Sequence, residues 1–256
     1  MRITFGIVVF CFAWCIQPSF AQEVEQSAEE VFWTELVYPQ EKGEVQLSLS
    51  PWINTTTDPS VGQSPFTLEY GISDAWQLEA EWSGPAYNGS DYESALELGT
   101  KYSFLNLFNK GLHVAIGNEF EFAMEGEGVG TEPFAVIAID LPRLANLHLF
   151  SQVKMEFELS EEDNAIQDVD ALEEEAAGWS VQFGAILPTE EIYFSAEIGW
   201  MQEDKGLQSY VTPGLIFEII DDFQVGLGIP IGLTSDSDTF RISTFFTYEF
   251  ELFESN

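Results

Sequence analysis

The stretch Gly111–Phe122, GLHVAIGNEFEF, alternates between two kinds of side chain. Leu112, Val114, Ile116, Phe120 and Phe122 form one set, interrupted only by Asn118. Gly111, His113, Ala115, Gly117, Glu119 and Glu121 form the other. A period of two means a β-strand with one oily face and one small-or-charged face. The same pattern serves a strand on a protein core and a strand against lipid. Which way the oily face looks has to be read from the rest of the chain.

The 256 residues include 44 acids against 8 bases, a balance that excludes nucleic-acid binding through a basic patch. Such a charge with few apolar residues would mean disorder, but 45% of the chain is hydrophobic, enough to build a folded body. The 14% aromatic content favours strands over helices.

The first residues, MRITFGIVVFCFAWCIQPSFAQ, carry one base at Arg2, an apolar run from Ile3 to Ile16, then Pro18, Ser19 and Ala21. This reads as a secretory signal peptide over 1–21, cut after Ala21. The alternative, a short membrane anchor, has a run shorter than the roughly 20 residues a spanning helix needs. Both cysteines, Cys11 and Cys15, fall inside it, so the mature chain has no disulfide to hold it together. An acidic periplasmic N-terminal segment, 22–43, follows. In it Ser27 and Glu30 form either a capping box opening a short helix through Leu36, or part of an unstructured leader.

From Glu44 to Phe253 we expect twelve strands, near 44–53, 64–72, 75–83, 92–105, 111–123, 132–140, 147–159, 176–187, 192–202, 208–218, 222–233 and 238–253. Many match the roughly 9–11 residues that cross a bilayer as a tilted strand. The sixth and tenth alternate poorly, and Pro213 weakens the tenth. The connections alternate in length. SD, LNLFNKG, DLPRLANL, LPTEE and EIIDD are compact, whereas NTTTDPSVGQS, SGPAYNGSD, MEGEGVGTE and SEEDNAIQDVDALEEEA are longer and richer in Gly, Ser, Asn and acids. Short turns at one end and long loops at the other describe an all-β fold: a single antiparallel up-and-down transmembrane β-barrel. An even strand count puts both termini on the short-turn, periplasmic side.

The less apolar face decides the orientation. In a soluble sandwich it would meet water, yet here it carries Gly99, Gly117, Gly184, Gly199, Gly226 and Gly228. Glycine weakens an exposed strand, but inside a closed barrel it makes room. Trp76, Trp82, Tyr102, Phe104, Trp179 and Trp200 sit on the oily face towards strand ends, as interfacial girdles do. The oily face therefore looks at lipid. The inward set then contains Glu79, Glu81, Glu93, Glu97, Glu119, Glu121, Glu156 and Glu158, with Lys101, Lys154 and Arg241 as partial neutralisers. These eleven residues are the candidate pore lining. A carboxylate ring at a watered mouth favours cations. The same groups can instead form a hydrogen-bonded filling that passes nothing.

The loop holding Glu161, Glu162, Asp163, Asp168, Asp170, Glu173, Glu174 and Glu175 offers oxygen ligands for divalent cations or a bridge to lipopolysaccharide, without EF-hand spacing. No cofactor fingerprint, metal cluster or nucleic-acid motif stands out. His113 and His148, the only histidines, fall on the inward set, and no serine motif such as would mark Ser151 or Ser195 as a nucleophile accompanies them. An enzyme is not expected.

FTLEYGISDAWQLEAEW (66–82) and ALELGTKYSF (95–104) resemble the phenol-degradation-pathway transporter family of bacterial outer-membrane barrels. The shared look is a Glu-Tyr-Gly-Ile strand, a tight Ser/Asp turn, a Glu-rich return strand and a Gly-x-Lys-Tyr strand. The resemblance implies an outer-membrane protein with a transport role. The Glu-Ser-Asn terminus departs from the aromatic end usual in such barrels. The expected function is a monomeric outer-membrane channel in contact with lipid, for passive diffusion of small-molecule solutes, cation-preferring. The alternatives are a closed structural or surface-adhesion barrel with acidic cation-binding loops, and a soluble secreted ligand-binding β-barrel.

Overall fold

The computed structural model describes residues 31–56, 60–84, 87, 94–124, 129–158, 178–189, 192–203, 206–220, 222–237 and 239–252. Twelve antiparallel strands carry most of them, as the alternation predicts. They are β1 (Glu44–Leu49, continued by Trp52–Asn54), β2 (Val61–Gln63 and Phe66–Ser73), β3 (Trp76–Trp82), β4 (Ala95–Leu107), β5 (Leu112–Ala123) and β6 (Val129–Leu141). Then come β7 (Leu147–Met155 and Phe157–Glu158), β8 (Trp179–Pro188), β9 (Ile192–Glu203), β10 (Gly206–Ile220), β11 (Phe223–Gly228 and Ile231–Gly232) and β12 (Arg241–Glu251). Each strand pairs with its sequence neighbour. The sheet closes where β1 meets β12, with Glu44 opposite Glu251 and Leu49 opposite Phe246.

Interruptions are bridged rather than left open. β1 breaks at Ser50–Pro51, but the Thr244 N–H still reaches the Pro51 carbonyl at 2.9 Å. Pro213 does not end β10. It sits opposite Ala196 of β9, and its carbonyl accepts the Ile229 N–H at 3.1 Å where β11 itself breaks at Ile229–Pro230. The missing proline donor thus faces the one neighbour whose ladder is already interrupted. At the short-turn end, left-handed backbone at Phe108, Asn109 and Gly111 turns β4 into β5, and at Ala145 and Asn146 it closes the turn into β7. The alternation of loop lengths has an exception: only residues 204 and 205 separate β9 from β10.

The oily face looks outward. Phe120 is 44% exposed and its neighbour Glu119 only 6%. Leu68, Leu78, Leu98, Ile137, Val153, Phe183, Phe194 and Leu227 are likewise exposed large apolar residues on a closed sheet. In water so many would be untenable; against hydrocarbon they are matched. The barrel therefore spans a membrane. Its outward tryptophans keep a polar handle, with Trp76 Nε1 donating to Thr100 Oγ1 at 2.7 Å and Trp82 Nε1 to Ser94 Oγ at 2.9 Å.

The interior is not uniformly polar. Phe134, Phe150 and Phe245 turn inward and are buried, with Ala115, Val136, Ala138, Ile186 and Ile216 around them. Inward glycines make this possible: a Cβ at Gly117 would run into the Phe134 ring, at Gly184 into Phe150, and at Gly226 into Phe245. The glycines thus hold inward rings as much as they open a bore. Gly226→Val should cost about 1–3 kcal/mol by overpacking. The check is the temperature at which the heat-modifiable electrophoretic shift is lost, and Phe245→Ala in the same chain should recover part of the drop. An unchanged midpoint for Gly226→Val would contradict this packing.

Candidate functional site

What fills the lumen is the chain's own segment ahead of β1. Residues 31–40 run inside the barrel, and Val31, Thr34, Leu36, Val37, Tyr38 and Gln40 are buried. Of the two readings of this segment, the short helix through Leu36 does not form over 31–36, and Ser27 and Glu30 lie outside the described residues. The reason lies in the donors, which go to the wall instead of up a helix. Phe32 N–H donates to Glu197 Oε1 at 2.9 Å, Trp33 N–H to Glu197 Oε2 at 3.2 Å, and Glu35 N–H to Gln152 Oε1 at 3.1 Å.

The segment climbs from the short-turn end to mid-lumen. At the bottom, Gln40 N–H donates to Gln77 Oε1 at 3.0 Å, and Gln40 Nε2 bonds Gln46 and, at 3.1 Å, Glu69. Tyr38 donates to Asp140 Oδ1 at 3.1 Å. Burial, then the Asp140 carboxylate beside it, hold this phenol far above its ordinary pKa, so it stays a donor. The same Asp140 takes both histidines, His113 Nε2 at Oδ2 and His148 Nδ1 at Oδ1, each at 2.7 Å. Because His113 Nδ1 accepts the Asn106 N–H at 3.2 Å, its Nε2 carries the proton given to Asp140. The two histidines thus serve an aspartate, not a serine.

Higher up, Ser103 Oγ donates to the Val37 carbonyl at 2.6 Å and Lys101 Nζ pairs with Glu35 at 3.0 Å. Thr34 Oγ1 donates to Glu197 Oε2 at 2.9 Å, Trp33 Nε1 donates to Thr212 Oγ1 at 2.9 Å, and the Trp33 ring stacks on Tyr210. Phe32 lies against Phe245, over Gly214 and Gly228.

Above this stopper a cavity of about 500 Å³ remains, lined by Phe32, Trp33, Glu35, Glu81, Glu132, Lys154, Glu156 and Arg241 among others. Of the eleven candidate lining residues, Glu81, Lys154, Glu156 and Arg241 border it. Glu81 accepts from Thr67 Oγ1 at 2.8 Å. Lys154 pairs with Glu119 at 2.6 Å and also with Glu132. Glu97 lies among Glu81, Glu119, Glu132 and Lys154, and Glu79 among Glu35, Glu69, Glu119 and Lys101. Carboxylate oxygens of Glu121, Glu132 and Glu156 lie within 4.8 Å of one another. The Arg241 guanidinium sits over Trp52 (4.6 Å), Tyr210 (5.4 Å) and Trp33 (5.7 Å). Glu158 is exposed, on the short extension opposite Gly130. Glu93 and the loop acids from Glu161 to Glu175 lie outside the described residues.

Sequence reading missed Glu35, Glu69, Glu132, Asp140, Gln152 and Glu197. Parity does put Glu197 inward, level with Ser195 and Gly199. Nothing local signals that its partners lie 163 to 165 residues away.

No family model matches the chain, and no curated protein matches its sequence. Solved porins share its shape. The KdgM porin, solved in complex with disordered oligogalacturonate, is 9% identical, with 81% of this chain and 99% of that chain aligned at a TM-score of 0.56. The NanC porin is 10% identical over 81% of this chain and 100% of that chain, at 0.55. The fold is thus that of bacterial outer-membrane porins, in keeping with the oily outer belt.

Glu197 is the central anchor of the stopper. Glu197→Ala should release residues 32–34, raising amide hydrogen exchange at Phe32 and Trp33 at least about tenfold, as expected for losing charge-assisted bonds. Strand amides of β9 should stay protected. Unchanged exchange at Phe32 and Trp33 would contradict the anchoring.

Proposed function

We propose that this protein is an outer-membrane channel for passive diffusion of small solutes, cation-preferring at its mouth and held shut in the described state by residues 31–40. The observation that carries the reading is the stopper itself. It is tied to the wall by exchangeable polar bonds to Lys101, Ser103, Gln152 and Glu197, below the cavity. Polar bonds of this kind are remade with water at modest net cost, about 0.5–1.5 kcal/mol for a neutral pair and about 1.5–3 kcal/mol where one group is charged. The carboxylates around the mouth outnumber the bases and give it its preference for cations. Residues 1–21 act as the removed leader. The closed β1–β12 seam leaves no edge for a partner to complete, which favours a monomer.

The phenol-pathway resemblance of 66–82 and 95–104 supports a transport role without choosing the solute. A second reading is favoured by the apolar cluster of Leu36, Val37, Phe134, Phe150 and Ile186 beneath the cavity. On that reading the barrel is a closed structural or adhesion body whose acidic loops bind divalent cations or lipopolysaccharide.

Planar-bilayer recording separates the two. The wild type should open rarely. A chain lacking 31–40 should conduct steadily, with cations passing more readily than chloride. Should that deletion fail to fold, a Val37→Cys/Ser103→Cys pair gives the same test, silent when oxidised and opening on reduction. A deletion variant or reduced pair as silent as the oxidised pair would overturn the channel in favour of the closed barrel. Anion preference would overturn the cation-selective mouth.

A further inference from the structure

We infer that the cavity above the stopper is a binding site for small organic ammonium ions with an apolar body. The inference rests on the vestibule described above, but not on conduction through it.

Its size comes first. About 500 Å³ lies within the range of roughly 300–1,000 Å³ typical of small-molecule pockets. Its two walls differ in chemistry. One carries Glu35, Glu81, Glu132 and Glu156 against Lys154; the other carries Arg241 with Trp33, Trp52 and Phe245. Four carboxylates against two cations leave the lining two charges negative. Just behind it Lys101 on Glu35 is offset by Glu119 on Lys154, and Glu79, Glu97 and Glu121 add further carboxylates. Carboxylates held out of bulk water gain from a cation brought between them. An anion would add to an existing excess.

Two further observations narrow the class. The aromatic wall already holds an organic cation, since the Arg241 guanidinium lies over Trp52 at 4.6 Å and Trp33 at 5.7 Å. The floor is therefore suited to cationic and apolar groups side by side. In the same lining the carboxylates of Glu132 and Glu156 come within 4.8 Å of each other and of Glu121. A lining rich in acceptors asks for a ligand that brings donors, and an ammonium brings three. An aromatic or aliphatic body of six to ten carbons, by a rough volume estimate, fits over Trp33 and Phe245 while the ammonium faces Glu81 and Glu156.

The test uses one body with three charges: 2-phenylethylammonium, 2-phenylethanol and phenylacetate, titrated by calorimetry into the full-length protein in detergent micelles. The ammonium should bind saturably, at least about tenfold tighter than the alcohol, the gain expected from charge-assisted contacts. Phenylacetate should not bind. Glu81→Gln/Glu156→Gln keeps shape and hydrogen-bonding atoms while removing two charges, and should lose that preference. A heat-modifiable shift like the wild type's would show that the variant is folded. Binding of all three probes alike, tighter binding of phenylacetate, no saturable binding, or an ammonium affinity unchanged in the folded double variant would each overturn the site. A channel that conducts cations but binds no ammonium would sink this inference and leave the proposed function standing. Ammonium binding in a silent barrel would do the reverse.

Discussion

Hydrocarbon offers no partner to a backbone N–H or C=O, so a strand that enters a bilayer must find all of its bonds in other strands. The β1–β12 seam meets that demand, with pairs running from Glu44–Glu251 to Leu49–Phe246. Closure then sorts every side chain by parity. Residues such as Leu98, Phe120 and Ile137 must face lipid. Everything polar on the alternate set is left inside, where it needs water, counter-charges or more protein. The arrangement of the lumen is the answer to that requirement.

The protein supplies most of the filling itself, by two means. Inward rings from Phe134, Phe150 and Phe245 sit over glycines on neighbouring strands, and Leu36, Val37 and Tyr38 complete an apolar cluster. Between these rings, charge is met by charge or by several donors at once. Glu197 takes two backbone N–H groups and a hydroxyl, and Lys154 takes two carboxylates. Buried ionic groups are tolerable only when tied in this way, because each carries a desolvation cost of several kcal/mol. Where the ties end, the cavity begins, and the carboxylates around it are the part of the lumen left for solvent or solute. Function is thus assigned to the region the fold does not fill.

Much of this was legible in the sequence, because the constraint acts strand by strand. Period-two alternation, with the rhythm of the connections around the poorly alternating sixth and tenth, placed the twelve strands, and Glu119 beside Phe120 placed inside and outside. The glycines on the inward set signalled close approach, though not that aromatic rings would occupy the space. The stopper was not legible. Ser27, Glu30 and Pro39 make a passable local case for a short helix, yet tertiary partners on β7 and β9 take donors, and Ser103 on β4 takes a carbonyl, that a helix would need. Those partners stand up to 165 residues away, and no local rule reports on such a distance. Parity proposed the candidate lining, but the pairing of its charges was not legible. Lys101 and Lys154 could be read as neutralisers, whereas Glu35 and Glu132 could not be read as the groups they neutralise.

The central claim is that residues 31–40 lie inside the closed barrel, and ring contacts at the short-turn end test it most directly. Tyr38 lies 5.3 Å from His113 and 5.4 Å from His148, ring centre to ring centre. In micelles with Tyr and His ring labels, nuclear Overhauser cross-peaks should join Tyr38 to both histidines. Barrel amides that form the expected strand network, with neither cross-peak present, would contradict the account and leave an unstoppered barrel.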